Sequence, residues 1–476
     1  MKSFSLLFLL LSLSQAHASS GLISKLLTKI EKNSTQTKIA EQNQRSLEYG
    51  ILSQKTIFNS TGYLRSSYSN QDNLPTSPFA STNTNIKEYE AGYQKLWTSG
   101  VQSNLSYLIR NSDTAFPGRS NFTFISPTLQ LELSTSLIQS LFYDRYGHNL
   151  KNLELQEDLA KLDGKVEKKQ TLVQALLDFS VLLEQKEELR LQKELCSSTK
   201  AQSENLSQKR KRGSVSKREY LLGLKDLNNC QATIERLDQS YLANLNAFES
   251  NYNTSFKEFS SPDVDKLFSE AQVAYQQIST SQNEVNISKQ DDVRSLELQV
   301  DTLKSKQDEL NAKTKTNLTL EFRSGLSGIN DELSDAQQDV TDAKYPFVYV
   351  GLTLDLPLKN SQAVQESQSN FYRLESIKNR KDLLTKQKTS RLSTLESTLK
   401  KDFVIYEKYK KSVALSKNIF QEASRDFKNG RLDFNSLSEF NKSVIGDQKT
   451  LASHRIQLIV RVVEYLDFFQ FFDTYL

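Results

Sequence analysis

Hydrophobic and polar positions alternate with two different periods along this chain, and the switches between them divide it into elements. In 22–53, Leu22, Ile23, Leu26, Leu27 and Ile30 recur at steps of three and four. That spacing places them on one helix face and predicts a helix. From 55 to 137 the texture becomes rich in Ser, Thr, Asn, Tyr and Phe, in short alternating runs between turn residues, which predicts strands. The clearest runs are 89–97, 102–110 and 128–137. In the last, Leu129, Leu131 and Leu133 alternate with Gln130, Glu132 and Ser134. Thr98-Ser99-Gly100 is a compact turn between the first two. Residues 70–86 and 111–121, with Pro75, Pro78 and Pro117, read as exposed loops.

Helical texture returns over 138–209, which holds no proline. A helix of that length would run about 108 Å at 1.5 Å per residue. Gly213 breaks it, and a second helix runs to about 258. Ser261-Pro262-Asp263 restarts helix, with Ser as N-cap and Pro at the first helical position. That helix extends over 263–312. Leu318, Leu320 and Phe322 then alternate with Thr319, Glu321 and Arg323, and a polar loop follows with Asp331, Glu332, Asp335, Asp339 and Asp342. Val348, Val350, Leu352, Leu354, Leu356 and Leu358 alternate with Tyr349, Gly351, Thr353 and Asp355. That run fits a transmembrane β-strand; taken alone, it equally fits an edge strand of a soluble sheet. A last long helix runs from Ser361 to about 427. Its seam of Leu392, Leu395, Leu399, Phe403, Tyr406, Tyr409 and Val413 steps by three or four, as in a coiled coil. Asn429-Gly430 ends it, and a final helix closes the chain.

The order of textures repeats. Pro127 precedes the strand leading into the first long helix, and Gly213 ends that helix, 86 residues on; Pro346 and Gly430 take the same places 84 residues apart. Each half reads helix, strands, long helix, tip, shorter helix. The first repeat covers 19–258: helix 22–53, strands and loops 55–137, and a helical hairpin 138–258 with its tip near 213. The second covers 263–476: helix 263–312, strands 315–358, and a hairpin 361–476 with its tip near 430.

Composition changes this picture in two ways. Gly (15) and Pro (7) are scarce and only 37% of residues are hydrophobic, which favours long helices over a thick globular core. Beyond the N-terminus no run reaches about 18 apolar residues, so a bilayer could be crossed only by a closed barrel. The expected fold is therefore mainly α with a β portion. The N-terminus sets the compartment. Lys2, the apolar run 4–13 and Ala16-His17-Ala18 form a signal peptide over 1–18, with a short membrane anchor as the alternative. A net charge of +4 gives no reason to expect nucleic acid as a partner. One chain has too few strands to close a wide pore, so several copies must share one barrel.

Over essentially the whole mature chain this layout resembles the TolC family of outer-membrane channel subunits. The local likenesses are 88–106 (EYEAGYQKLWTSGVQSNLS), 127–142 (PTLQLELSTSLIQSLF), 345–358 (YPFVYVGLTLDLPL) and 427–437 (FKNGRLDFNSL). The resemblance implies a homotrimer, a 12-stranded transmembrane β-barrel shared between subunits, and long antiparallel coiled-coil helices forming a periplasmic tunnel. It implies the outer membrane of a Gram-negative bacterium, outer-membrane lipid around the barrel, and a periplasmic adaptor with an inner-membrane pump as partners. The strand-like run at 55–69 departs from the family pattern and leaves the number of strands per subunit open.

The resemblance also assigns roles. The tips would dock the adaptor: Lys209, Arg210, Lys211, Arg212, Gly213, Lys217 and Arg218 at the first, and Asn429, Gly430, Arg431 and Leu432 at the second. For the basic cluster, a solvated helix end is the alternative. Family members close the periplasmic mouth with acids just past the tip glycine, which points to Glu219, Ser436 and Glu439; solvated helix-face side chains are the alternative. Cys196 and Cys230 lie 17 residues before and after Gly213, so a hairpin turning there brings them together, and export favours a bridge over two free thiols. No catalytic, cofactor or metal site emerges. His148 and His454 are isolated, and no HExxH, Walker loop, GxSxG or GxGxxG is present. The other reading is a periplasmic coiled-coil protein with a small soluble β domain; an enzyme is a distant third.

Overall fold

A computed structural model describes residues 21–72, 81–116, 121–259, 264–280, 285–356 and 362–475. The expected signal peptide, Pro75, Pro78, Pro117, the Ser261-Pro262-Asp263 restart, Leu358 and Ser361 lie outside them. The chain divides into two compact units, and each draws segments from both halves of the sequence. One comprises Arg45–Lys161 and Ser295–Lys381; the other comprises Met1–Gln44, Leu162–Arg294 and Asp382–Leu476.

The first unit is built on one six-stranded antiparallel sheet: β1 Thr61–Asp72, β2 Asn83–Leu96, β3 Val101–Ala115, β4 Phe122–Ser136, β5 Asn317–Ser327 and β6 Tyr345–Asp355. Their spatial order follows the sequence. The sequence left the number of strands per copy open; the sheet has six, where a twelve-stranded barrel of three copies would take four from each. The strands also run through much of what composition marked as loop. Residues 70–72, 83–86 and 111–115 are polar but continue the ladders, with Asp72 paired to Asn83 and Asn83 to Ala115. Pro127 lies inside β4 rather than before it. Its carbonyl accepts from the Gly328 amide at 2.9 Å, so its missing N–H faces the point where β5 ends, a place that tolerates proline.

After β4 the expected continuous helix is interrupted. Leu137–Phe142 makes a single π turn, and Asp144, at φ 43°, resets the chain before the long helix begins. The acidic loop between β5 and β6 also holds a short helix, Leu333–Thr341, which packs on the sheet through Ala336 and Val340. Two glycines shape the sheet. A Cβ at Gly92 would strike the ring of Tyr63, its cross-strand partner, and one at Gly325 would strike the ring of Phe347, its own partner. Each aromatic ring covers a bare glycine backbone on the neighbouring strand.

The long helices are α1 Leu22–Asn33, α2 Thr35–Lys55, α3 Arg145–Lys211, α4 Lys217–Tyr252, α5 Val264–Thr280 and α6 Asp291–Lys313. With the Leu333–Thr341 helix taken as α7, they continue as α8 Gln362–Lys428 and α9 Phe434–Phe468. The expected helices 22–53 and 263–312 are each divided. Ser34 leaves the helical conformation at ψ 131° between α1 and α2. The second is replaced by α5 and α6. In the sheet unit, Lys55 of α2 and Lys161 of α3 both bind Glu157 at 2.7 Å. Hydrogen bonds from Lys161 and then Lys55 hold the Glu157 carboxyl down at about 2.

The second unit is helical. Its core gathers Leu26, Leu27 and Ile30 of α1, Leu172, Leu176 and Phe179 of α3, Leu267 of α5, Leu395 and Leu399 of α8, and Leu458 and Ile459 of α9. The Phe179 ring lies 5.2–5.9 Å from those of Phe248, Phe256 and Phe259. The α8 seam turns inward largely as its spacing predicts, with Leu395, Leu399 and Val413 buried. The amides of Leu22 and Ile23, unsatisfied by α1 itself, donate to the Glu270 carboxylate of α5 at 2.8 and 3.0 Å.

Candidate functional site

Residues directly opposed across an antiparallel ladder point to the same face, so the registers sort the side chains of all six strands. One row reads Gly62, Tyr93, Leu105, Leu131, Ser324, Val348; the next reads Leu64, Ala91, Tyr107, Leu129, Leu326, Pro346. Leu133, Phe322 and Val350 share this face, as do Leu320 and Leu352. It is an apolar sheet surface that no described residue of the chain covers: Leu64 is 88% exposed, Val348 68% and Leu352 65%. A water-soluble protein seldom leaves so continuous an apolar patch open.

The opposite face carries the ion pairs, while Asp72, Lys87, Lys95 and Asp113 fall on the first face beyond the rows just named. Thr61, Gln94, Asn104, Glu132, Arg323 and Tyr349 form one row; Arg65, Glu90, Leu108, Thr128 and Ser327 form another. Ion pairs tie it laterally: Arg110 to Glu88 at 2.6 Å, Arg65 to Glu90 at 3.4 Å and Arg323 to Glu132 at 3.3 Å. The Tyr63 hydroxyl donates to Glu90 at 2.7 Å. Sequence reasoning found the alternation in three runs but missed this charged ladder. Its signal was partly present, since Glu90 and Glu132 fall between apolar or aromatic neighbours in their strands, while Arg65, Glu88, Arg110 and Arg323 each have one such neighbour. Where the β2–β3 turn meets the π turn, aromatic residues gather. Trp97 donates to Ser103 at 3.1 Å with the Lys95 ammonium 4.1 Å from its ring, and Phe142 is exposed beside Tyr143.

The two tips, both in the helical unit, have the same construction. At the first, the Gly213 amide donates to Arg210 and the Ser214 amide to Lys209; at the second, Gly430 donates to Phe427 and Arg431 to Asp426. Both glycines are left-handed, at φ 73° and 75°, which closes the helix end in a way that a residue with a Cβ resists. Three residues on, Ser216 caps α4 and Asp433 caps α9. The Ser436 amide holds the Asp433 carboxyl below the usual carboxylate range. Glu219 and Ser436 are therefore equivalent positions in the first turn after each cap. The Glu219 carboxylate turns back onto the Ser216 amide at 3.1 Å, completing a capping box, and Glu439 is exposed.

The tips also pack together, a contact with no local sequence signal. Leu206, Ala423, Phe427, Phe434 and Leu437 form a small core of their own. The Lys209 ammonium sits 4.2 Å from the Phe427 ring and the Arg210 guanidinium 4.8 Å from the Tyr220 ring. Lys442 and Ser438 bind Asp226 at 2.8 and 3.1 Å. Arg210, Lys211, Arg212, Lys217 and Arg218 remain exposed at the first tip, as do Asn429, Gly430 and Arg431 at the second, with Leu432 half-buried. Further along the first hairpin Cys196 and Cys230 are bridged, with their Cα atoms 5.6 Å apart. Lys449 of α9 reaches Glu188 and Gln192 beside the bridge, at 3.2 and 3.1 Å.

The histidines stand apart. The His148 carbonyl accepts from Ser305 at 2.9 Å, and the His454 ring lies 3.1 Å from the Asp402 carbonyl. Among the described residues no group of three or more His, Cys, Asp or Glu is placed to hold a metal ion. Among the same residues no helix is long and apolar enough to cross a membrane.

No protein-family model matches the sequence. No curated protein matches it either. Solved structures do match. The outer membrane protein VceC of Vibrio cholerae aligns with a TM-score of 0.67 at 10% identity, over 94% of this chain and 96% of that one. The CmeC outer membrane channel of Campylobacter jejuni gives 0.68 at 10%, over 94% and 85%. The MtrE outer membrane channel of Neisseria gonorrhoeae, in its open state, gives 0.65 at 10%, over 94% and 88%. The fold is that of TolC-like outer-membrane factors.

The bridge leads to a direct expectation. Replacing both Cys196 and Cys230 with Ser removes a cross-link closing a 34-residue separation, which in the chain-entropy model costs about 3–4 kcal/mol. Denaturation of the two proteins should show that loss. Peptide mass spectrometry without reduction should recover Cys196 joined to Cys230; two free thiols would contradict the bridge.

Proposed function

We propose that the protein is an outer-membrane channel subunit of a Gram-negative bacterium. Three copies form a passive exit duct for a tripartite efflux or type I secretion system. The observation that carries this reading is the two-faced sheet. A continuous apolar face suits contact with lipid, and a face of paired charges suits a water-filled lumen, which is the division a transmembrane barrel requires. Aromatic residues such as Trp97 and Tyr143 suit the lipid–water boundary. The role is conduction rather than catalysis, and an inner-membrane pump supplies the energy. The other reading, a periplasmic coiled-coil protein with a soluble β domain, is disfavoured by the same sheet. In water, Leu64, Val348, Val350 and Leu352 would need a cover that the described residues do not supply.

The tips are the proposed docking surface for a periplasmic adaptor. The exposed cations of 210–218 favour an acidic patch on that partner, and Asn429, Gly430, Arg431 and Leu432 complete the surface. Around the periplasmic mouth, Glu219, Ser436 and Glu439 from each copy are the candidates for closing it, where rings of carboxylates would attract cations and repel one another.

Membrane fractionation tests the channel reading. The protein should sediment with the outer membrane and run in mild detergent as a trimer; a soluble monomer would contradict it. Docking is tested by replacing Arg210, Lys211 and Arg212 with Glu. Capture of the adaptor should fall by about tenfold or more, with the residual binding less sensitive to salt. Unchanged capture would rule out the basic tip.

A further inference from the structure

The sheet has two edges, β1 and β6. Both extend the apolar face of the inner strands, through Leu64 and Tyr68 on β1 and through Val348, Val350, Leu352 and Leu354 on β6. Among the described residues, apart from Asp72 at the very end of β1, neither edge carries a charge on that face, a proline in mid-strand or a covering helix, the usual devices that block further pairing. In hydrocarbon each unpaired backbone group costs several kcal/mol. Each edge therefore needs another strand.

Strand direction identifies that strand. The six strands alternate, so β1 and β6 run in opposite directions. A second copy placed beside the first presents its β1 antiparallel to β6. The faces agree as well, because even-numbered residues point to the apolar side on both edges. The row that carries Leu64 reaches β6 at Pro346, which has the same parity as Val348, Val350, Leu352 and Leu354. Barrel shear can shift the pairing only by even steps, since an odd step would turn Leu64 into the lumen.

We infer that every copy contributes all six strands to the wall, joined β6 to β1 of the next copy, so that a three-copy barrel has eighteen strands and not twelve. This rests on the channel reading above. The surplus comes from the first half of the chain, with four strands between α2 and α3 against two between α6 and α8. At equal tilt, eighteen strands give a barrel about 1.5 times as wide as twelve, in the range where porins hold an open aqueous channel. The ion-paired face would line that wider mouth.

Imaging of single particles of the purified oligomer in lipid nanodiscs counts the strands directly. A trimer with eighteen strands is expected. Seam contact is tested by pairing Leu64→Cys with each of Val348→Cys, Val350→Cys, Leu352→Cys and Leu354→Cys and oxidising mildly. At least one pair should give trimer-sized bands without reductant, and no single variant should. A trimer with twelve strands, leaving β1 and β2 outside the wall, overturns the inference and leaves the channel reading standing. A dimer with twelve strands overturns the count. A soluble monomer overturns both.

Discussion

Unpaired backbone in an apolar surrounding is the constraint on which the rest of this structure depends. A strand facing lipid on one side must satisfy every amide and carbonyl within its sheet, because no water is present to take their place. The described sheet meets that demand internally across five ladders and leaves two edges open. Its alternation of side chains meets the second demand, sending leucine, valine and tyrosine to one face and ion pairs to the other. Both follow from one property of a strand, its two-residue period.

The helical unit answers a different need. Among its described residues no helix is long and apolar enough to cross a membrane; its helices are held by a buried core of Leu, Ile and Phe and by capped ends. The two tips share a left-handed glycine, a cap three residues later and a first-turn partner, although their sequences differ. Gly213, Ser216 and Glu219 correspond to Gly430, Asp433 and Ser436. Helices of 67 residues enter both tips. What differs is charge: the first tip is basic and the second nearly neutral.

Much of this was legible in the sequence. The two long hairpin helices and both tip glycines follow from local signals of spacing, and the cysteine pairing from its symmetry about Gly213 together with export. The breaks at Ser34, at 137–144 and between α5 and α6 did not show. What escaped was non-local or polar. The polar ends of β1, β2 and β3, residues 70–72, 83–85 and 111–114, are made of Asn, Gln, Asp, Ser and Thr, residues that score as loop but are held in strands by ladder bonds to their neighbours. The Leu333–Thr341 helix hides in an acidic stretch and forms because Ala336 and Val340 pack on the sheet. The contact between Leu206, Phe427 and Phe434 joins residues more than two hundred positions apart, and the seam around either one shows no sign of the other.

The central claim is that the face bearing Leu352 meets lipid while its neighbour Thr353 faces water. Trp97 is the chain's single tryptophan, so a Trp97→Phe background allows a lone reporter to be placed at Leu352 or at Thr353. Brominated lipids in reconstituted membranes should quench the reporter at Leu352 strongly, and iodide in solution should quench the one at Thr353. Equal quenching of both by iodide, with none by brominated lipid, would contradict the account.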